Sequence, residues 1–206
     1  MIEIAGFFGT RIENKENIER KVQNAFEIIR ECPYDSTTPF FSPESLRETV
    51  SNFLKRRNGS CSPKHYTLGL YYESLGLDVR YLTYPFYWQE QTFKFPPSLS
   101  AFIEKMPIQY HTALLINKQG ETSPELIDAT WDMALEPAGV PINLNVFEDN
   151  KLAVIPCSEP FIQVTAQAKW EFQKTSRNLT PPNKNIQPFY SALNSWLSDV
   201  RGSASL

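Results

Sequence analysis

The spacing of apolar residues changes near Gly76, and that change restricts the fold more than any other feature. Before it, apolar side chains recur at three- and four-residue intervals, the repeat of a helix with one buried face. Ile18, Val22, Phe26 and Ile29 predict a helix over about residues 14–31, which Pro33 stops. Ser42, Pro43 and Glu44 offer an N-cap, a first-turn proline and a first-turn acid for a second helix. Leu46, Val50, Phe53 and Leu54 form its apolar face, and Asn58-Gly59 ends it. A third helix starts near Cys61, because Ser62-Pro63 fits only a first turn, and Leu68, Tyr72 and Leu75 carry it to Gly76.

After Gly76 the chain turns to β-branched and aromatic runs. Residues 79–88 predict a strand, at least to Pro85, and residues 98–105 a short helix. Residues 110–118 and 125–131 predict two strands joined as a hairpin by the turn-rich Lys118–Pro124 segment. Residues 152–156 and 161–166 are weaker strand candidates. Phe189, Leu193, Trp196, Leu197 and Val200 mark a last helix with Pro188 in its opening turn. Helices first, strands next and a helix last is an α+β order, not an alternating βαβ one. The expectation is a single domain over 1–206, its core at about 42–157, with an N-terminal helix and a C-terminal helical extension.

Composition narrows the function. With 41% hydrophobic and 13% aromatic residues the chain has the means to fold rather than stay disordered. A net charge of −3 gives no electrostatic footprint for nucleic acid or an anionic membrane, so neither is expected as a partner. No apolar run approaches the roughly 20 residues of a membrane span. Met1–Arg11 has an apolar patch but no basic leader or small-residue cleavage site, and does not read as a signal peptide. Cys32, Cys61 and Cys157 are odd in number and widely spaced, which suits reduced thiols in a cytoplasmic protein better than disulfides.

One cysteine stands apart. The reactive form of the side chain is the thiolate, and a helix N-terminus favours it through unpaired N–H groups and the macrodipole. Cys61 is placed at such an end, after the uncrowded Asn58-Gly59-Ser60. A base must reach the sulfur, and His111 sits on a strand that can aim it there. An imidazole in that role needs a third group to orient it, and Asp128 is an acid inside an apolar strand. A turn centred between Gln119 and Gly120 sets His111 opposite Asp128. A loop looser by two residues leaves them diagonal on one face, and a slip of one separates them.

Gly59-Ser60-Cys61, a following helix, and then Leu75-Gly76-Leu77-Asp78-Val79-Arg80-Tyr81-Leu82-Thr83 resemble the core of the transglutaminase-like superfamily. His111-Thr112-Ala113 is similar to that family's histidine strand, and Leu126-Ile127-Asp128-Ala129-Thr130-Trp131 to its aspartate strand. Arg56-Arg57-Asn58-Gly59-Ser60-Cys61 more faintly resembles the arylamine N-acetyltransferases, which share the core. The resemblance implies a papain-like α+β fold with Cys61, His111 and Asp128 as the triad. It also implies hydrolysis or acyl transfer through a thioester, without cofactor or metal, on a peptide, protein or small amide or acyl substrate. Ser62 stands where the family often has an aromatic residue, and Ala129 where proline is usual.

Other readings compete. The same fold could serve as a catalytically inactive module that binds peptide or protein. Cys61, His65, His111 and Cys157 could form a four-ligand zinc set, though the spacing lacks the paired short motifs of structural zinc. His65 alone reads as a partly exposed helix residue, with a role supporting the triad or facing the substrate as the alternative, and Asp128 could instead cap a turn or pair with Arg80. Cys32 and Cys157 read as structural. Tyr81, Tyr84, Phe86, Tyr87 and Trp88 read as core, with some able to wall an acyl pocket.

Overall fold

Helix formation in the first third follows the apolar stripes, with shifted ends. The computed structural model describes residues 2–9, 17–36, 44–117, 123–179 and 183–204. Helix α1 (Ile2–Gly9) replaces what the sequence offered only as an apolar patch, and buries Ile4 and Phe8. Helix α2 (Ile18–Arg30) opens at Asn17, whose side chain accepts from Arg20 N at 2.9 Å, and buries Val22, Ala25, Phe26 and Ile29. Residues 14–16, Ser42 and Pro43 lie outside the described residues. Helix α3 (Leu46–Arg56) starts at Ser45, which accepts from Glu48 N at 3.1 Å, while Glu48 accepts from Glu44 N at 2.7 Å. Ser45 and Glu48 have the spacing of a capping box, and this signal outweighs Ser42-Pro43.

The end of α3 also differs from expectation. Arg57, at φ 56°, is the left-handed residue that closes it, rather than Asn58-Gly59. Gly59 serves a different purpose: a Cβ there would stand 3.0 Å from Pro63 Cγ and 3.1 Å from Phe53 Cδ2. Its backbone instead lies against residues 33–35, donating to Pro33 O and accepting from Asp35 N, both at 3.1 Å. Helix α4 (Cys61–Ser74) begins two residues later and is buried from Cys61 through Gly69.

The strands make one antiparallel sheet. After β1 (Asp78–Phe86), a short helix α5 (Pro97–Ile103) leads to β2 (Gln109–Asn117) and β3 (Glu125–Ile127), and β4 (Phe161–Gln163) completes the order β3-β2-β1-β4. Strand β3 stops at Ile127 instead of reaching 131. The next residues leave the sheet because side chains claim their polar groups: Asn143 donates to Asp128 O at 3.0 Å and Ala129 N donates to His65 at 3.0 Å. The strand expected over 152–156 does not form, for the same reason. Ala153 N donates to Asp128 at 2.7 Å, and Ile155 N donates to Gln91 at 2.7 Å while its carbonyl accepts from Gln91 at 3.1 Å.

The segment 161–166 divides between β4 and helix α6 (Ala166–Leu179), which the apolar spacing did not announce. Thr165 caps α6, accepting from Ala168 N at 3.1 Å. Helix α7 (Ile186–Ala204) carries Pro188 in its first turn, as expected. The architecture is thus α+β, helices against a four-stranded antiparallel sheet. Among the described residues no helix is long and apolar enough to cross a membrane.

Two apolar clusters result. One joins α1–α4 to the sheet through Phe8, Phe26, Phe53, Leu68, Tyr72, Tyr81 and Leu114. The other gathers Trp88, Phe93, Leu99, Trp131, Leu135, Phe189 and Leu193 around α5, α7 and the loops between them.

Candidate functional site

Cys61 is the first residue of α4, with Ser60 extended before it as N-cap. A buried hydroxyl contact, Ser62 Oγ to Thr112 Oγ1 at 3.0 Å, ties this helix end to β2. That tie sets the thiol near His111 and the Thr112 backbone N–H, both of which favour its charged form. His111 Nε2 meets Asp128 Oδ2 at 2.7 Å, which leaves Nδ1 as the ring nitrogen for the sulfur.

Strands β2 and β3 pair Leu114 with Ile127, so the register is that of the looser loop. Continued by one residue, it sets Ala113 beside Asp128 and His111 diagonal to it on the same face. The hairpin loop itself, 118–122, lies outside the described residues. Asp128 has just left the strand, and is held by Ala153 N at 2.7 Å on Oδ2 and Thr130 N at 3.2 Å on Oδ1. Arg80, its rival partner, pairs with Asp78 at 3.1 Å instead.

The three groups shift one another. Burial alone would raise the Cys61 thiol, but the charge and hydrogen bond of His111, the Thr112 N–H and the charge of Lys169 together lower it below its ordinary value. Burial would lower His111, yet Asp128 and the Cys61 sulfur raise it to about 10. Burial would raise Asp128, but His111, with help from His65, holds it at about 2. These shifts run toward a thiolate beside an imidazolium, backed by a carboxylate. A thiolate so placed is a nucleophile, and the imidazolium is a proton source for a leaving group.

His65 is not the partly exposed residue expected from its sequence position; it is fully buried. Its Nδ1 lies 2.8 Å from Cys61 O, and its Nε2 accepts from Ala129 N at 3.0 Å. Burial lowers its pKa to about 4 against the pull of Asp128, so the ring is neutral. Lys64, also fully buried, donates to Arg30 O at 3.0 Å and to Cys32 O and Thr130 O at 2.8 Å each. Burial lowers that ammonium to about 8, while Cys32, Asp132 and Asp128 favour its charge. With both His65 nitrogens engaged and Cys157 exposed, the zinc set is not assembled. Among the described residues no cluster of three such side chains could hold a metal ion.

Further residues reach the site from afar. Tyr34 stacks on Trp131 with ring centroids 4.6 Å apart, and Asp132 accepts from its backbone N at 3.2 Å. Arg201 clasps Asp132 at 2.9 and 2.7 Å and donates to Tyr34 O at 3.2 Å. Burial raises the Tyr34 phenol well above its usual value, and the neighbouring charge of Cys61 adds to the rise. Of the aromatic run, Tyr81, Phe86 and Trp88 are buried, whereas Tyr84 is half-buried and Tyr87 exposed. Cys32 is buried with its thiol on Ile28 O at 3.3 Å.

Sequence reasoning passed over Lys64, Tyr34, Thr112 and Lys169, and gave His65 the wrong surroundings. A signal for the helix pair was available. From His65 through Tyr72 no Lys, Arg, Asp or Glu occurs, and a helix without a polar face is a buried one. No family model matches the chain, and neither does any curated protein or solved structure.

Proposed function

We propose that the chain is a Cys-His-Asp thiol enzyme with a transglutaminase-like, papain-like core, acting on an amide or acyl substrate through a Cys61 thioester. The observation that carries this reading is the meeting of a helix-end thiol, a strand imidazole and a buried carboxylate, with His111 Nε2 2.7 Å from Asp128 Oδ2. The order of the motifs along the chain supports it independently. The Cys61 thiolate attacks the carbonyl carbon, and the oxygen takes the displaced electron pair while the helix-end N–H groups stabilise it. As the tetrahedral intermediate collapses, His111 gives its proton to the leaving group. Water or an amine, deprotonated by the now neutral His111, then cleaves the thioester and frees the sulfur. Asp128 keeps the ring oriented and stabilises its charged form.

Burial of Cys61, 9% exposed, and of His111, 2% exposed, favours one alternative: a module of the same fold that binds peptide or protein without catalysis. Alkylation by iodoacetamide across pH, with the labelled site mapped by mass, separates the two. The enzyme reading expects fast Cys61 labelling at about pH 6, where an ordinary thiol of pKa about 8.5 is almost wholly protonated. His111→Ala should remove that fast labelling, and Cys61→Ala should remove adduct formation with acyl and peptide probes. Labelling of Cys61 at an ordinary thiol's rate throughout would leave the binding module standing.

A further inference from the structure

Two consecutive buried side chains of α4, Lys64 and His65, spend their polar atoms beside the candidate triad without belonging to it. His65 is the more telling, because its partners leave no freedom in how its ring is protonated. A backbone N–H can only donate and a carbonyl can only accept. Ala129 N at 3.0 Å therefore requires a bare Nε2, and Cys61 O at 2.8 Å requires the proton on Nδ1. Cys61 O belongs to the nucleophile itself, and Ala129 N follows Asp128 directly.

We propose that His65 is the positioning residue of the Cys61–His111–Asp128 set. Its neutral ring bridges the nucleophile's helix to the acid's loop, and protonation of that ring uncouples them. This rests on the function proposed above. The groups that face the ring explain the second half. Asp128 Oδ1 lies 3.6 Å from Nε2, and His111 stands edge-on with ring centroids 6.2 Å apart. Lys64 adjoins it in the chain and holds Thr130 O at 2.8 Å, two residues past Asp128. A proton on Nε2 would set a donor against the Ala129 donor. The new N–H would turn to Asp128 Oδ1 and draw on the charge that now supports His111 through Oδ2. The acid would then serve two imidazoles, and the one beside the sulfur would lose its support.

The test compares His65→Gln and His65→Leu with the wild type. Glutamine offers one donor and one acceptor, much as the neutral ring does, but takes up no proton. Leucine offers neither. The readouts are the pH dependence of Cys61 alkylation by iodoacetamide and the acylation rate with p-nitrophenyl acetate. The wild type is expected to lose reactivity in acid through two protonations, its own sulfur and His65. His65→Gln should keep most of the neutral rate and show a single-proton acid limb. His65→Leu should acylate slower by about 10²-fold, the scale of a misplacement on the order of 1 Å.

An unchanged acid limb in His65→Gln overturns the proposal, as does a wild-type rate and profile in a His65→Leu protein whose circular dichroism is native. Should His65→Leu not fold, the glutamine profile decides. Failure of the underlying function has its own signature, a wild-type Cys61 that labels as an ordinary thiol. An activated thiol indifferent to His65 would sink only this inference.

Discussion

The two apolar clusters satisfy their backbones by different means. In the cluster of α1–α4 and the sheet, the backbone lies mostly in helices and strands, and side chains such as Phe26, Leu68 and Leu114 pack between them. In the cluster around α7 the backbone from 128 to 155 has only a 3-10 helix at Met133–Ala138, and side chains close much of the rest. Asn143 serves Asp128 O at 3.0 Å and both polar groups of Lys151, Gln91 serves both polar groups of Ile155, and Trp131 Nε1 donates to Ala153 O at 2.8 Å. The candidate site falls on the seam between them. A helix end in the first region holds the thiol, and a loop in the second has N–H groups to spare for the carboxylate. A regular ladder would have consumed those donors.

If this contrast is real, a change in the first region should cost stability and leave the chemistry alone. Phe26→Ala is expected to lower unfolding free energy by about 3–5 kcal/mol in urea denaturation. The pH profile of Cys61 alkylation in the folded fraction should match the wild type, and a shifted profile would dissolve the distinction.

The seam itself should be visible as opposite pH dependences of its two histidines. His65 titrates near 6.5 unfolded and about 4 folded, so its contribution to stability is present above 6.5 and lost as pH falls through 4. His111 is raised from 6.5 to about 10, so its contribution is present below 6.5 and lost as pH rises through 10. His65→Gln should flatten the acid limb of stability by at most about 1.4 kcal/mol per pH unit and spare the alkaline limb. Thermal melts across pH measure both, and an unaltered acid limb would assign the loss to other groups.

The smallest effect belongs to the second region. Asn143→Leu should cost about 1–3 kcal/mol, because it strips a buried clasp from Asp128 O and Lys151. Unlike the larger Phe26 lesion, it should also slow Cys61 labelling at low pH, since it frees the acid's loop. A destabilised protein with unchanged labelling would show that Asp128 does not depend on that clasp.

What could be read in advance follows the same division. Ile18 to Ile29, Leu46 to Leu54 and Leu68 to Leu75 gave usable helices because their apolar repeats reflect local geometry. Cys61, His111 and Asp128 could be picked out because each sits at a place a local rule recognises: a helix start, a strand, an acid in an apolar run. Strand 152–156 was misread because an apolar run carries no sign that Gln91 and Asp128 will take its hydrogen bonds. Helix α6 was missed because its cap, Thr165, follows a β-branched stretch that masks it.

The sequence alone determined where the apolar faces lie, where α4 starts, and therefore which cysteine stands at a helix end. Those are properties of residues within a turn or two of each other. Tertiary structure alone decided that β3 would yield Asp128 to a loop, and that the donors and acceptors of Lys64 and His65 would meet residues 32, 129 and 130. Such pairings join segments far apart in the chain, and they are fixed by the need to satisfy every buried polar group at once, which no local pattern encodes.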